Sequence, residues 1–156
     1  MRRVEHIVED LKDYSYEKSV LEVACGDADL SLAVSARAAF VCGIDVSLAR
    51  ITRKNLKTHG TVQFQEMDAT QLGFKAESFD VVTTYNAVGH LTNVLDDCIS
   101  EMIRVLKIRG YLIFIATWKM DRALIPRIHN VLAVKVAVQH FEEINRVYCA
   151  SIWKKT

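Results

Sequence analysis

Proline is almost missing from this chain. Pro126 is the only one in 156 residues, so no proline-rich linker or polyproline tract divides it. Cysteine is sparse and scattered: Cys25, Cys42, Cys98 and Cys149 show none of the close pairings that announce a zinc or dithiol motif. Free thiols in a reducing compartment are expected, and no metal site. Charge of either sign is not in excess. The net value of +1 gives no electrostatic case for nucleic acid or an acidic partner. No apolar run reaches the roughly 18 residues of a membrane span. Met1-Arg2-Arg3 leads into a mixed polar helix instead of the apolar core of a signal peptide. What is present is ordinary: 51% hydrophobic and 25% charged residues, enough to bury a core. One cytoplasmic domain over residues 1–156 is the expectation, since domains commonly run about 100–200 residues.

The pattern alternates strand and helix. Val4, Ile7, Val8 and Leu11 recur at helical spacing between residues 4 and 14, predicting a short amphipathic lead-in helix. Strands are expected at 19–24, 40–45, 79–85 and 111–116 from largely apolar runs, and at 62–67 from alternation. Helices are expected at 30–39 and 48–58. A third, ending before Gly110, carries the strongest apolar stripe: Val94, Leu95, Cys98, Ile99, Met102, Ile103 and Leu106. Residues 71–78 read as loop. After Trp118 a helix over 121–131 should break or kink at Pro126. Segments 134–141 and 147–153 read as a hairpin turning at 142–146. The core at 19–118 and the C-terminal helix and hairpin at 121–156 thus form an α/β, Rossmann-like, doubly wound sheet. It is mostly parallel and seven-stranded, with an antiparallel C-terminal strand pair.

The chain is organised around Val20-Leu21-Glu22-Val23-Ala24-Cys25-Gly26-Asp27-Ala28-Asp29-Leu30. This is a buried strand, a small-residue turn and the start of a helix, and such a turn aims free N–H groups at a ligand. A dinucleotide fingerprint would need glycine at 24, 26 and 29, and the chain has Ala24, Gly26 and Asp29. Asp27 and Asp29 would also oppose a pyrophosphate. A cationic ligand without phosphate suits the turn better.

Leu21-Glu22-Val23-Ala24-Cys25-Gly26 resembles the first motif of class I S-adenosylmethionine-dependent methyltransferases, with alanine at 24 and 28 where glycine is usual. Phe79-Asp80-Val81-Val82 and the following Tyr85-Asn86-Ala87-Val88-Gly89-His90-Leu91 resemble the fourth motif and substrate-facing loop of its small-molecule N- and O-methyltransferases. The loop lacks the N-P-P-Y proline of enzymes acting on nucleobase or glutamine amides. Leu106, Lys107 and Gly110 are what remains of the family's L-K-P-G-G turn before the fifth strand.

The resemblance implies S-adenosylmethionine as cofactor and a small-molecule acceptor, with the site at the strands' carboxyl ends. Glu22, Ala24, Cys25 and Gly26 are its candidate cofactor residues in the first turn. For Glu22, organising the turn and approaching the ligand's amino group both stay open. Asp45 closes the second strand and Val46 follows it. Asp45, 23 residues after Glu22, either accepts the ribose hydroxyls or caps the next helix. Asp68 and Ala69 follow the third strand, as adenine contacts or as an ordinary turn. Asn86 is placed at the methionine end. Tyr85 and His90 are the candidate catalytic residues, with a merely satisfied histidine as the alternative for His90. Met67, Leu72, Val46 and Leu48 wall the adenine or are plain core. Arg50, Arg53, Lys54 and Lys57 read as a solvated helix face.

The expected activity is methyl transfer to a small molecule by in-line displacement, where positioning supplies most of the rate. The rival is a non-catalytic or partner-dependent S-adenosylmethionine-binding module. The chain has little room for a lid, so the site is open, covered by a second copy in a homodimer, or completed by a partner subunit.

Overall fold

The computed structural model describes residues 2–57 and 60–156. Strand β1 (Ser19–Val23) lies at the centre of the parallel part of the sheet. It pairs with β2 (Phe40–Asp45) on one side and β4 (Phe79–Tyr85) on the other. Strand β3 (Val62–Glu66) extends the β2 side, and β5 (Leu106–Ala116) the β4 side, all parallel. Strands β6 (Val138–Asn145) and β7 (Cys149–Lys155) close the sheet, with β7 antiparallel between β5 and β6. The strand order is β3-β2-β1-β4-β5-β7-β6.

Helices cover both faces. In chain order they are α1 (Arg3–Asp10), α2 (Lys12–Ser15), α3 (Asp29–Val34), α4 (Arg53–Leu56), α5 (Val88–Leu91), α6 (Leu95–Val105), α7 (Lys119–Ala123) and α8 (Ile125–Ala133). Alternation along the buried strands decides which face each side chain meets. Val20, Val81 and Ile113 pack with Val4 and Ile7 of α1 and Leu30 and Val34 of α3. Their neighbours Leu21, Val82 and Leu112 pack with Ile99 and Met102 of α6 and Ile128 and Leu132 of α8. None of the helices is long and apolar enough to cross a membrane, among the described residues.

The elements agree with the sequence expectation where burial is two-sided and depart from it where other forces act. β2 and β4 have the predicted ends. The lead-in helix divides at Leu11 into α1 and α2, and the first crossover helix stops at Val34 instead of Ala39. The helix expected at 48–58 is the single turn α4. Thr52 is extended and its hydroxyl accepts from Asn55 N, so capping starts the helix there and not at Leu48; the expected end at Thr58 lies outside the described residues. Leu106, expected in the third helix, opens β5 after α6 ends at Val105. The break expected at Pro126 falls just ahead of it: α7 ends at Ala123 and α8 begins at Ile125, with Pro126 in its first turn, where its missing N–H is harmless. The hairpin is shifted along the chain: Glu142 to Asn145 belong to β6. Most of β6 is exposed; as the sheet's edge it needs no apolar run, so its polar residues hid it.

At the amino end of the sheet, Asp80 Oδ2 accepts hydrogen bonds from Ser19 N and Ser19 Oγ, both at 2.9 Å. The aspartate of the Phe79-Asp80 pair thereby ties β4 to the first residue of β1, away from the ligand end. Beside it β5 bulges. Its pairing with β4 jumps from Leu106 opposite Phe79 to Tyr111 opposite Val81, and Arg109 turns through φ 70°. Gly110 is required there: a Cβ would lie 2.6 Å from the Asp80 carbonyl oxygen and 2.8 Å from that of Lys107. Both are backbone atoms that cannot step aside. Gly110→Ala is expected to destabilise the fold by roughly 1–3 kcal/mol through overpacking, read as a lower denaturant midpoint with unchanged slope.

Candidate functional site

Open parallel sheets leave a crevice outside the carboxyl ends of their strands where the connections diverge to opposite faces. Here that crevice, between the loops after β1 and β4, is a cavity of about 670 Å³, inside the roughly 300–1,000 Å³ range of small-ligand sites. Ala24, Cys25, Gly26, Asp45, Val46, Asp68, Ala69, Tyr85, Asn86 and His90 all line it. Glu22 is absent from its wall.

The floor is the turn after β1. Ala24, Gly26 and Ala28 take left-handed φ values of 58°, 57° and 69°. The turn holds because its N–H groups find acceptors: Cys25 N donates to the Ile44 carbonyl at 2.8 Å, and Gly26 N to Asp45 Oδ2 at 2.9 Å. Beneath it lies Glu22, 1% exposed, with Oε1 accepting from Ser31 N at 3.0 Å and Ser31 Oγ at 2.6 Å. Burial pushes its pKa up to about 8, against the pull of the Ser31 hydrogen bonds, with Asp27 and Asp29 adding to the rise. Glu22 therefore braces the turn from behind in the neutral form near pH 7. Burial also raises the Cys25 thiol, so this cavity cysteine stays protonated.

Asp45 caps no helix, since α4 begins only at Arg53. Its Oδ1 receives Ser47 N at 3.4 Å while Oδ2 takes Gly26 N. Val46 is 75% exposed at the cavity mouth. Met67 lines the cavity, whereas Leu72 and Leu48 do not. Asp68 is folded onto Thr70, accepting from its N at 2.8 Å and its Oγ1 at 2.7 Å, which holds its pKa below the usual carboxylate value. The loop beyond is gripped by α6. Arg104 donates to the Phe74 and Leu72 carbonyls, both at 2.9 Å, and Glu101 Oε1 accepts Leu72 N at 2.9 Å.

Across the cavity, Asn86 adopts φ 52°, a conformation asparagine tolerates better than most residues. Its side chain is committed to Thr117: Nδ2 donates to Thr117 Oγ1 and Oδ1 accepts Thr117 N, each at 2.7 Å. Asn86 thus joins the ends of β4 and β5. Tyr85 is half-buried, and burial raises its phenol above the ordinary value, with Thr117 opposing; at neutral pH it is a donor, not a base. His90 is exposed on α5. That helix is held by Asp121, 2% exposed, whose Oδ1 accepts Gly89 N at 2.9 Å.

Several cavity residues escaped the sequence reading. Arg50 does not belong to a solvated helix face: it precedes α4, and its Nη1 lies 3.0 Å from where a Cβ on Gly26 would stand. Arg53, Lys54 and Lys57 remain exposed as expected. Arg2 and Arg3, brought over by α1, reach the same cavity, and Arg2 Nη1 bonds Asp29 Oδ1 at 2.5 Å. Asp29 is therefore paired with a cation. The acids and bases are interleaved, which suits a ligand carrying both signs.

The comparisons with known proteins agree with this geometry. Residues 21–114 match the family model described as a methyltransferase domain. The chain belongs to this methyltransferase family. S-adenosylmethionine is the family's methyl donor. The domain is 34% identical over 106 residues to a ubiquinone biosynthesis O-methyltransferase of Histophilus somni, covering 63% of this chain and 44% of that protein. It is 29% identical over 119 residues to a ubiquinone/menaquinone biosynthesis C-methyltransferase of Azotobacter vinelandii, covering 71% and 47%. The chain thus spans less than half the length of these relatives. A solved Pyrococcus horikoshii protein has the same fold, with a TM-score of 0.76 at 22% identity over 100% of this chain and 92% of that one.

Two outcomes are expected of this methyltransferase domain. Ala24 is partly exposed and left-handed. Ala24→Gly relieves about 1–2 kcal/mol of left-handed strain and loses about 0.4–1 kcal/mol to the freer unfolded chain. A net gain of roughly 0.5–1 kcal/mol should therefore appear in urea denaturation. For Glu22, the folded pKa of about 8 exceeds the ordinary value of 4.5, so the fold keeps a proton the unfolded chain loses. Its stabilisation is complete below the lower value and is lost as pH rises to the upper one. Glu22→Gln, which keeps both Ser31 hydrogen bonds, should gain on the wild type as pH rises from about 5 to about 8. Parallel stability curves would show that Glu22 is charged in the fold.

Proposed function

We propose that this domain binds S-adenosylmethionine in the cavity and transfers its methyl group to a small molecule. The observation that carries this is the convergence of three loops on one space. Asp45 after β2, Asp68–Ala69 after β3 and Asn86–His90 after β4 face one another around the left-handed turn. The residues fit the cofactor. Asp45 has a carboxylate on the cavity wall for the ribose hydroxyls, and both oxygens already accept N–H donors. Asp68, locked by Thr70, and Ala69 are the residues we assign to the adenine edge. Asp27 offers negative charge to the ligand's cationic groups, while Arg3 and Arg50 offer positive charge to its carboxylate.

When bound, the cofactor supplies a methyl group on a sulfonium that is already activated for in-line displacement. The protein's part is then to hold the acceptor in line and exclude water. Leu91, Val94 and Trp118 give the cavity an apolar side against which a flat acceptor can pack. His90, exposed on the same rim, is the group to take a proton from an acceptor hydroxyl. Tyr85, kept protonated, donates a hydrogen bond. The names of the two curated relatives suggest a quinone precursor as the acceptor class. Four free cysteines, three of them buried, support a reducing, cytoplasmic setting.

The test is calorimetric titration with S-adenosylmethionine and S-adenosylhomocysteine, with NADH as control, followed by a quinone-precursor acceptor panel. Asp45→Asn retains an oxygen for Gly26 N but loses the charge that strengthens two ribose hydrogen bonds. It is expected to weaken cofactor binding tenfold or more while unfolding at the wild-type temperature. Equal affinity would remove Asp45 from the site. Tight cofactor binding with no turnover would instead make the chain a binding module.

A further inference from the structure

The far edge of the sheet carries a second cluster of chemically capable side chains, remote from the cavity. His129 of α8 and His140 and Glu143 of β6 each bring a ligand atom within 4.8 Å of the other two. Both imidazoles aim at the same atom: Glu143 Oε2 lies 3.1 Å from His129 Nε2 and 2.9 Å from His140 Nε2.

The backbone is shaped for this. Residues three apart on a regular strand point to opposite faces. Between His140 and Glu142 the pairing with β7 slips by one residue, leaving Phe141 as a bulge. His140 therefore stands opposite Trp153 and Glu143 opposite Ser151, on one face. Bulges re-aim side chains in this way, commonly at sites. The floor is rigid. Trp153 is 4% exposed, its ring centroid 5.1 Å from that of His129 and 5.0 Å from that of His140. Its Nε1 donates to Ser151 Oγ at 2.9 Å, and that oxygen lies 3.0 Å from His129 Nε2.

We propose that His129, His140 and Glu143 bind a divalent transition-metal cation of the zinc class. Two neutral imidazoles and one carboxylate are the ligand set such ions prefer. Metal–ligand bonds of roughly 2.0–2.2 Å place tetrahedral ligand atoms about 3.3–3.5 Å apart. The histidine–glutamate separations of 2.9 and 3.1 Å need to open by only a few tenths of an ångström. The two histidines and the glutamate are half-exposed, so the ion has an entry path and water completes its coordination. The ion ties α8 to the edge strand, two elements the sequence separates by a loop. Cysteine spacing gave no hint of it, because no cysteine takes part.

Zinc chloride titration by calorimetry on the full chain, purified without an affinity tag and stripped with chelator, tests this. One ion per chain is expected, with a higher unfolding temperature in zinc. His140→Ala and Glu143→Gln, both at exposed positions, should each cut zinc affinity tenfold or more and abolish the thermal shift. A second readout is nickel chloride in a Trp118→Phe background, which leaves Trp153 as the reporter. Quenching should be saturable and lost in His140→Ala. Zinc affinity unchanged in both ligand variants, or abolished by Cys149→Ser alone, would overturn the proposal.

Discussion

Ser31 donates both its backbone N–H and its hydroxyl to one oxygen of Glu22, and the cavity depends on that contact. The turn above it passes through three left-handed residues, two of them alanines. Each such alanine costs about 1–2 kcal/mol relative to a relaxed backbone. Local preference would unwind the turn, so something outside must hold it. The anchor is a carboxyl group that burial keeps protonated, placed where β1 meets α3. A neutral acid can sit in an apolar layer where a charged one could not. Asp45, at the end of β2, then holds the turn from the side through Gly26 N. A residue that lines the cavity is thereby also part of the frame.

The same economy recurs in the other two walls. Asp68 lies on a loop without regular structure, yet its surroundings are fixed by Arg104 and Glu101 of α6. Those two side chains form an ion pair on the helix surface, which alone would contribute little. Their larger effect is on the loop, whose backbone carbonyls and N–H they satisfy. On the third wall Asp121 and Thr117 hold α5 and Asn86 from the segment after β5. Each cavity loop is thus clamped by an element distant in sequence. This is how short helices such as α5 hold a position they could not keep alone.

Legibility in the sequence followed the physics of each segment. β2 and β4 are buried on both faces, so their apolar runs marked them to the residue. The same runs placed Asp45, Asn86 and His90 at strand ends, and the alternation of β3 placed Asp68, where the cavity has them. What failed was whatever depended on partners instead of periodicity. β6 needs no apolar face because it is an edge. Arg50 looked like one member of a basic stripe, but a hydroxyl cap at Thr52 delays the helix and leaves Arg50 over Gly26. Arg2, Arg3 and Asp121 reach the cavity region through packing across the sheet, and nothing local foretells it.

Charge at the turn shows why counting acids is not enough. Asp27 and Asp29 suggest a mouth hostile to phosphate, yet Arg2 pairs with Asp29, and Arg3 and Arg50 line the same cavity. Against a dinucleotide, the placement of the groups counts for more than their net charge. A pyrophosphate would need the free N–H groups at the start of α3. There Asp29 N already donates to Asp27 Oδ1 at 3.0 Å and Ser31 N to Glu22. Two of the first three N–H groups of α3 are thus committed to carboxyl groups of the turn and of β1. What remains on the wall is a mixture of carboxylates and guanidinium groups, and that mixture matches a ligand whose charges are a sulfonium, an ammonium and a carboxylate. Which N–H groups the turn leaves unused is thus set by Asp27 and Glu22.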